Sequence, residues 1–327
     1  MRTFSFPLFF ALLLMSGAGA NEISPIIKQL NGTLVNSRGS KVSIKNLVKK
    51  DYILLYYSAS WCGPCKKFTP KLVDYYNKNK TKGNFEVVLV SSDSTRSDML
   101  KYMKAGRMAW PAVDFKYLKT SGIQKHGGKG IPCLVLFDKQ GKLIAHSYVK
   151  NKYYGPGHVL TTLQRELIKA GKGPDFLSTA TKNLVSAKGK KVSSYKIKKK
   201  DHFLLYYSAS WCGPCKKFTP QLVDFYNKHS EEQNFECILV SSDQDKKSMH
   251  TYMRDTKMPW PAVDYDYIDR NQMKAYGGNG IPCLVLLDQK GTILSHTYVN
   301  GDYLGPKKVL DDFQAMFKAT EKVDEEP

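Results

Sequence analysis

Two near-continuous apolar and aromatic runs organise the chain, "YILLYYSA" from Tyr52 and "FLLYYSA" from Phe203. Runs of this kind read as strands buried on both faces. After the first, Phe68, Leu72, Val73 and Tyr76 recur at helical spacing, with Pro70 inside the predicted helix, where it is expected to kink it. "FEVVLVSSD" (Phe85–Asp93) reads as a second buried strand, and Met99, Tyr102 and Met103 as one face of a helix. "IPCLVLFDKQGKLIAHSYV" (Ile131–Val149) predicts a hairpin of two strands around Lys139–Lys142, and Val159–Ala170 a closing helix. The order predicts an α/β fold, a central mixed β-sheet flanked by helices on both faces.

The pattern occurs twice, 150 residues apart and without a gap. Asp51–Pro70 matches Asp201–Pro220 at all but two positions, so "YYSASWCGPCKKFTP" is present at Tyr56–Pro70 and again at Tyr206–Pro220. "VSSD" (Val90, Val240), "WPAVD" (Trp110, Trp260) and "GIPCLVL" (Gly130, Gly280) also recur. Elsewhere the copies diverge: "STRSD" at Ser94–Asp98 shares nothing with "QDKKS" at Gln244–Ser248. Identity at the cysteine stretch is therefore not mere recency of duplication. Two tandem domains are expected, 21–172 and 173–327, with a linker near Gly171–Pro174.

The N-terminus changes the expected setting. Arg2, an apolar run at Phe4–Met15 and Ser16–Ala20 ending in an A-x-A pattern predict a signal peptide at 1–20. That run is too short for the ~20 residues of a spanning helix, and no later stretch is long and apolar enough. An exported, soluble and monomeric protein follows as the expectation. A periplasmic location is favoured because the chain ends "DEEP" without an ER-retention tail, with an extracellular one second. The formal charge of +21 comes from scattered lysines, clustered only at Lys196, Lys198, Lys199 and Lys200. No nucleic-acid module accompanies it, so nucleic acid is not an expected partner.

Seven cysteines, an odd number at low density, exclude a disulfide-stapled scaffold. Cys62 falls at the end of the first strand and Cys65 one helical turn later, close enough for a disulfide; Cys212 and Cys215 repeat the arrangement. A helix N-terminus offers unpaired N–H groups and a positive dipole end, which stabilise a thiolate at Cys62, and Lys66 and Lys67 add charge. The thiolate is the nucleophile, and Cys65 would resolve the mixed disulfide. Zinc is the rival for any C-x-x-C, but each pair lies in its own repeat, and zinc has no need of the same Trp, Gly and Pro around both. No metal is expected. Cys237 aligns with Val87 on a buried strand and reads as structural. Cys133 and Cys283 read either as small core residues or as auxiliary thiols near each pair. His146 and His296 read as solvent-facing, and the Gly127–Gly130 and Gly277–Gly280 loops as entries to a turn rather than phosphate loops.

W-C-G-P-C after a buried strand, a Pro five residues beyond the second cysteine (Pro70, Pro220) and a later Ile-Pro resemble thioredoxin. "YYSASWCGPCKKFTP", "KMPWPAVDY" (Lys257–Tyr265) and the long interval from Cys62 to Pro132 are more similar to tryparedoxins and nucleoredoxins, over nearly all of both repeats. The resemblance implies cis bonds at Ile131-Pro132 and Ile281-Pro282, beside the disulfides, where the Ile backbone pairs with substrate. It also implies that Trp61, Trp211, Trp110 and Trp260 border the sites. Gly63-Pro64 replaces the Pro-Pro of tryparedoxins, and Tyr56 or Tyr206 stands where thioredoxin has a buried acid. A phenol near pKa 10 is a poor base at neutral pH.

The sequence therefore predicts a protein dithiol–disulfide oxidoreductase with two CGPC centres, a reductase before an oxidase. It would act on protein disulfides and dithiols, recharged by an unidentified thiol system, and need no cofactor beyond the cysteine pairs. A disulfide isomerase or oxidase, or a redox-inactive chaperone or adaptor using the cis-Pro groove, are the alternatives. A peroxidase would need a sensor cysteine with an Arg and Thr/Ser arrangement that is not seen.

Overall fold

The apolar runs form the central strands of two similar sheets. The computed structural model describes residues 23–173, 175–268, 273–299 and 302–324, so the predicted signal peptide at 1–20 lies outside the described residues. The first repeat begins with α1 (Pro25–Leu30), β1 (Leu34–Val35) and α2 (Lys45–Val48). Its body is β2 (Tyr52–Ser58), α3 (Gly63–Gly83), β3 (Phe85–Ser91), α4 (Arg96–Ala105) and β4 (Ala112–Val113). Two hairpins follow, β5 (Cys133–Asp138) with β6 (Leu143–His146), then β7 (Tyr148–Val149) with β8 (Lys152–Tyr153), before α5 (Pro156–Lys169).

The second repeat opens with α6 (Phe176–Ala180), β9 (Leu184–Val185) and α7 (Ser194–Ile197). Then come β10 (His202–Ser208), α8 (Gly213–His229), β11 (Phe235–Ser241), α9 (Lys246–Asp255) and β12 (Ala262–Val263). Its hairpins are β13 (Cys283–Asp288) with β14 (Ile293–His296) and β15 (Tyr298–Val299) with β16 (Asp302–Tyr303), closed by α10 (Pro306–Asp324).

Each main sheet is mixed and six-stranded, ordered β1-β4-β3-β2-β5-β6 in the first repeat and β14-β13-β10-β11-β12-β9 in the second. β2 pairs parallel with β3, from Tyr52 opposite Phe85 to Ser58 opposite Ser91, and antiparallel with β5, Tyr57 opposite Cys133. A parallel pair requires a crossover, and α3 supplies it. The pleat sends Leu54 and Tyr56 to one face, against Leu72 and Tyr76 of α3 and Leu163 of α5. Ile53, Leu55 and Tyr57 face the other way, against Ile27, Leu30 and Leu47. Both faces are covered, which is why β2 reads as an unbroken apolar run.

α3 runs through Pro70 as one helix. The repeats touch where the Arg165 Nε of α5 donates to the Ala275 carbonyl at 3.2 Å. Among the described residues no helix is long and apolar enough to cross a membrane. No group of three or more His, Cys, Asp or Glu among them has the arrangement to hold a metal ion.

Candidate active site

The two cysteines of each pair are held by the start of a helix. Cys62 is the N-cap of α3 in extended backbone, with Pro64 in the first turn, where its missing N–H costs nothing. The Cys65 N–H points at Cys62 Sγ at 3.2 Å, and Cys215 at Cys212 Sγ at the same distance. Both pairs are joined as disulfides, Cys62–Cys65 and Cys212–Cys215, each with a Cα separation of 5.2 Å. Cys62 keeps 5% exposure and Cys65 none. The Ile131-Pro132 and Ile281-Pro282 bonds are cis. Cys62 Sγ lies 3.7 Å from the Ile131 carbonyl oxygen, and Cys212 Sγ 3.8 Å from that of Ile281.

Trp61 and Trp211 flank the pairs with most of their rings in solvent, 62% and 59% exposed. Each indole N–H is fixed, to the Ser92 and Ser242 carbonyls at 3.1 Å. A buried carboxylate stands behind this loop. Asp93 accepts the Ser60 N–H at 2.7 Å and the Ser91 hydroxyl at 2.8 Å. Asp243 repeats both contacts and takes the Ser210 hydroxyl as well, at 2.6 Å. The twice-written "VSSD" carried this signal without its partner.

Trp110 and Trp260 require a correction. They do not border the sites: both are only 1% exposed. Trp110 meets the edge of Tyr76 at 5.2 Å and Trp260 that of Tyr226 at 5.4 Å, so both indoles fill the core beneath the sheet. His146 and His296 also differ from expectation. Each is half-buried, its Nε2 donating to a carbonyl (His126, 3.0 Å; Tyr276, 2.9 Å) while a backbone N–H occupies Nδ1.

The free thiols Cys133 and Cys283 are fully buried, as is Cys237. Cys133 packs with Tyr57, Ile123 and Val135, whereas Cys62 and Cys65 pack with Ala59 and Ile131. Burial pushes the Cys133 thiol up and that of Cys283 to about 11.

The Tyr56 hydroxyl, in the place of the missing acid, belongs to a buried network. It lies 2.9 Å from Thr69 Oγ1, which donates to the Cys65 carbonyl at 3.0 Å and meets the Tyr102 hydroxyl at 2.7 Å. Tyr102 in turn meets Ser58 Oγ at 2.9 Å. Tyr206, Thr219, Tyr252 and Ser208 repeat the network. Burial raises Tyr56 and Tyr206 far above the ordinary phenol value, so neither is a base at neutral pH.

Comparison with known proteins adds a relation to this geometry. A family model described as thioredoxin-like matches residues 50–143 and again 200–293. The chain belongs to the thioredoxin-like family. Probable nucleoredoxin 1 of Arabidopsis thaliana is 32% identical over 273 residues, 79% of this chain and 46% of that protein. Nucleoredoxin of Danio rerio is 29% identical over 281 residues, 83% of this chain and 64% of that protein. Among solved structures, tryparedoxin from Trypanosoma brucei is 38% identical, covering 35% of this chain and 78% of its own, with a TM-score of 0.32. The chain thus spans about half to two thirds of the length of these two nucleoredoxins.

The relatives overturn the expected location. Nucleoredoxins are cytoplasmic or nuclear proteins, which points away from a periplasmic or extracellular site. The expectation rested on a charged start, an apolar run and an A-x-A pattern at 1–20, outside the described residues, and on the ending "DEEP".

Proposed function

We propose that each thioredoxin-like repeat is an independent dithiol–disulfide exchange centre acting on protein disulfides, chiefly as a reductase. The observation that carries this reading is the placement of Cys62 and Cys212 at the N-cap of a long helix, beside a carbonyl that precedes a cis-proline. In the reduced form the Cys65 N–H and the helix dipole favour the Cys62 thiolate. That thiolate attacks one substrate sulfur, and the first substrate thiolate leaves. Cys65 then loses its proton and attacks Cys62 Sγ, releasing the second substrate thiolate. Two electrons pass to the substrate, the released thiolates take up protons, and the chain is left in its disulfide form. A dithiol donor then restores the pair, so no other cofactor enters the cycle.

The domain boundary is proposed at 172/173. Reductive direction is supported by the Gly-Pro between the cysteines and by relatives from compartments in which thiols are kept reduced.

The test is reduction of a disulfide-bonded model protein with dithiothreitol as electron source. Cys62→Ser and Cys212→Ser should each lose roughly half the rate, as independent sites do. The double variant should retain only the uncatalysed background. Full activity in the double variant contradicts the proposal.

A further inference from the structure

The β7–β8 hairpin, absent from the sequence reading, is built onto the candidate site. Tyr148 packs closely against the glycine loop before the cis-proline: a Cβ at Gly128 would sit 2.2 Å from its ring, and one at Gly130 would sit 3.0 Å from its hydroxyl. The Tyr153 ring packs against that of Tyr148, tilted, at 4.9 Å between centroids, and its hydroxyl donates to the Pro132 carbonyl at 2.8 Å. The second repeat has the same frame, with Tyr298 and Tyr303 at 5.1 Å and the Tyr303 hydroxyl on the Pro282 carbonyl at 3.2 Å. Since Cys62 Sγ is 3.7 Å from Ile131, the hairpin is one residue removed from the sulfur. Tyr153 and Tyr303 stay about half exposed, at 46% and 49%.

On this shared frame the charges differ. The first repeat places Lys129 in the glycine loop and Lys150 and Lys152 on the hairpin, all exposed. None has an ion-pair partner among the described residues; Lys152 Nζ rests over the Tyr154 ring at 5.3 Å. At the matching positions the second repeat has Asn279, Asn300 and Asp302. Its nearby Lys307 and Lys308 are each ion-paired along their own helix, to Asp311 and Asp312. Lys66 and Lys67 are matched by Lys216 and Lys217, so they do not distinguish the sites.

Lys150 is further marked by its backbone. It and Asn151 hold φ of 47° and 65°, the pair of left-handed residues that a two-residue hairpin turn demands. The second repeat carries the favoured Asn-Gly at this point of the sequence. A lysine where asparagine or glycine is favoured costs local stability, a pattern found where a side chain has work at a binding site.

We infer that the first centre selects disulfides flanked by acidic side chains, and that the second does not. This rests on the dithiol–disulfide reading above and names the substrate class on which the two centres differ. Charge at the rim of a site acts on encounter and orientation, so the preference is sensitive to salt.

The test uses full-length chains with one working centre. Cys212→Ser/Cys215→Ser leaves the first centre, and Cys62→Ser/Cys65→Ser leaves the second. Each is pre-reduced, freed of reductant and mixed with either of two synthetic peptides of equal length. Both peptides carry one internal disulfide, flanked by Asp and Glu in one and by Lys in the other. The acidic-to-basic ratio of second-order rate constants is expected to be about five-fold or more higher for the first centre at low salt, the order of a few exposed charge pairs. Raising salt should bring that ratio towards the second centre's, and so should Lys150→Asn/Lys152→Asp in the first centre. Equal ratios in the two centres, or a ratio unmoved by both salt and the lysine substitutions, would overturn the inference. Failure of both centres to reduce either peptide would instead overturn the exchange reading on which it rests.

Discussion

The Thr69 hydroxyl has one proton to give and two lone pairs to offer. The proton goes to the Cys65 carbonyl, so Tyr56 and Tyr102 both donate to Thr69, and Ser58 then donates to Tyr102. The result is a directed chain of hydroxyls that ends on the first turn of α3 and fixes it without any buried charge. Thr69→Val keeps the shape but takes the Thr69 partner from the buried Tyr56 hydroxyl and leaves Tyr102 with Ser58 alone, and should cost about 2 kcal/mol or more of stability. A denaturant midpoint measured against Tyr56→Phe, which removes only a donor and should cost less, checks it. The buried thiols give a second expectation. With Cys283 held near pKa 11 against an ordinary 9.0, it is almost wholly protonated at pH 8. Iodoacetamide on the reduced native chain should therefore modify Cys62 and Cys212 well before Cys283. The same shift works on stability. Its contribution is complete below pH 9.0 and is lost as pH rises through about 11, because the unfolded thiol releases its proton first. The cysteine pairs were legible because both members lie in one short stretch. Tyr56, Thr69 and Tyr102 were not, since only the fold brings their hydroxyls together. Trp110 was misread because a short segment does not reveal whether its indole faces the cleft or the core.

At the scale of elements, β2 and β3 were legible because strands covered on both faces must be apolar at every position. β1 and β4, two residues each, and α2, of four, are too short to show any period. The β7–β8 hairpin is equally short, and its signal was the recurrence of Tyr148 and Tyr153 as Tyr298 and Tyr303. Leu54 is fully buried at the centre of β2, against the helices that carry the site. Leu54→Ala should lower the stability of the first repeat by about 2–5 kcal/mol, as large-to-small changes in a core do. Calorimetry checks it, and an unchanged transition temperature would contradict the assignment of β2 as the core strand.

The whole molecule is one thioredoxin-like architecture written twice, with differences along much of the chain, the rims of the two sites included, but none at the paired cysteines. Both repeats present the same sulfur pair, indole and cis-proline, and the central claim is that both do the same chemistry. Removing the second cysteine of each pair tests it most directly, because a mixed disulfide that cannot be resolved accumulates on the first. Pre-reduced Cys65→Ser/Cys215→Ser, exposed to a disulfide-bonded model protein and mapped by mass spectrometry, should carry substrate on both Cys62 and Cys212. Adducts confined to Cys133 or Cys283, or none at all, would contradict it.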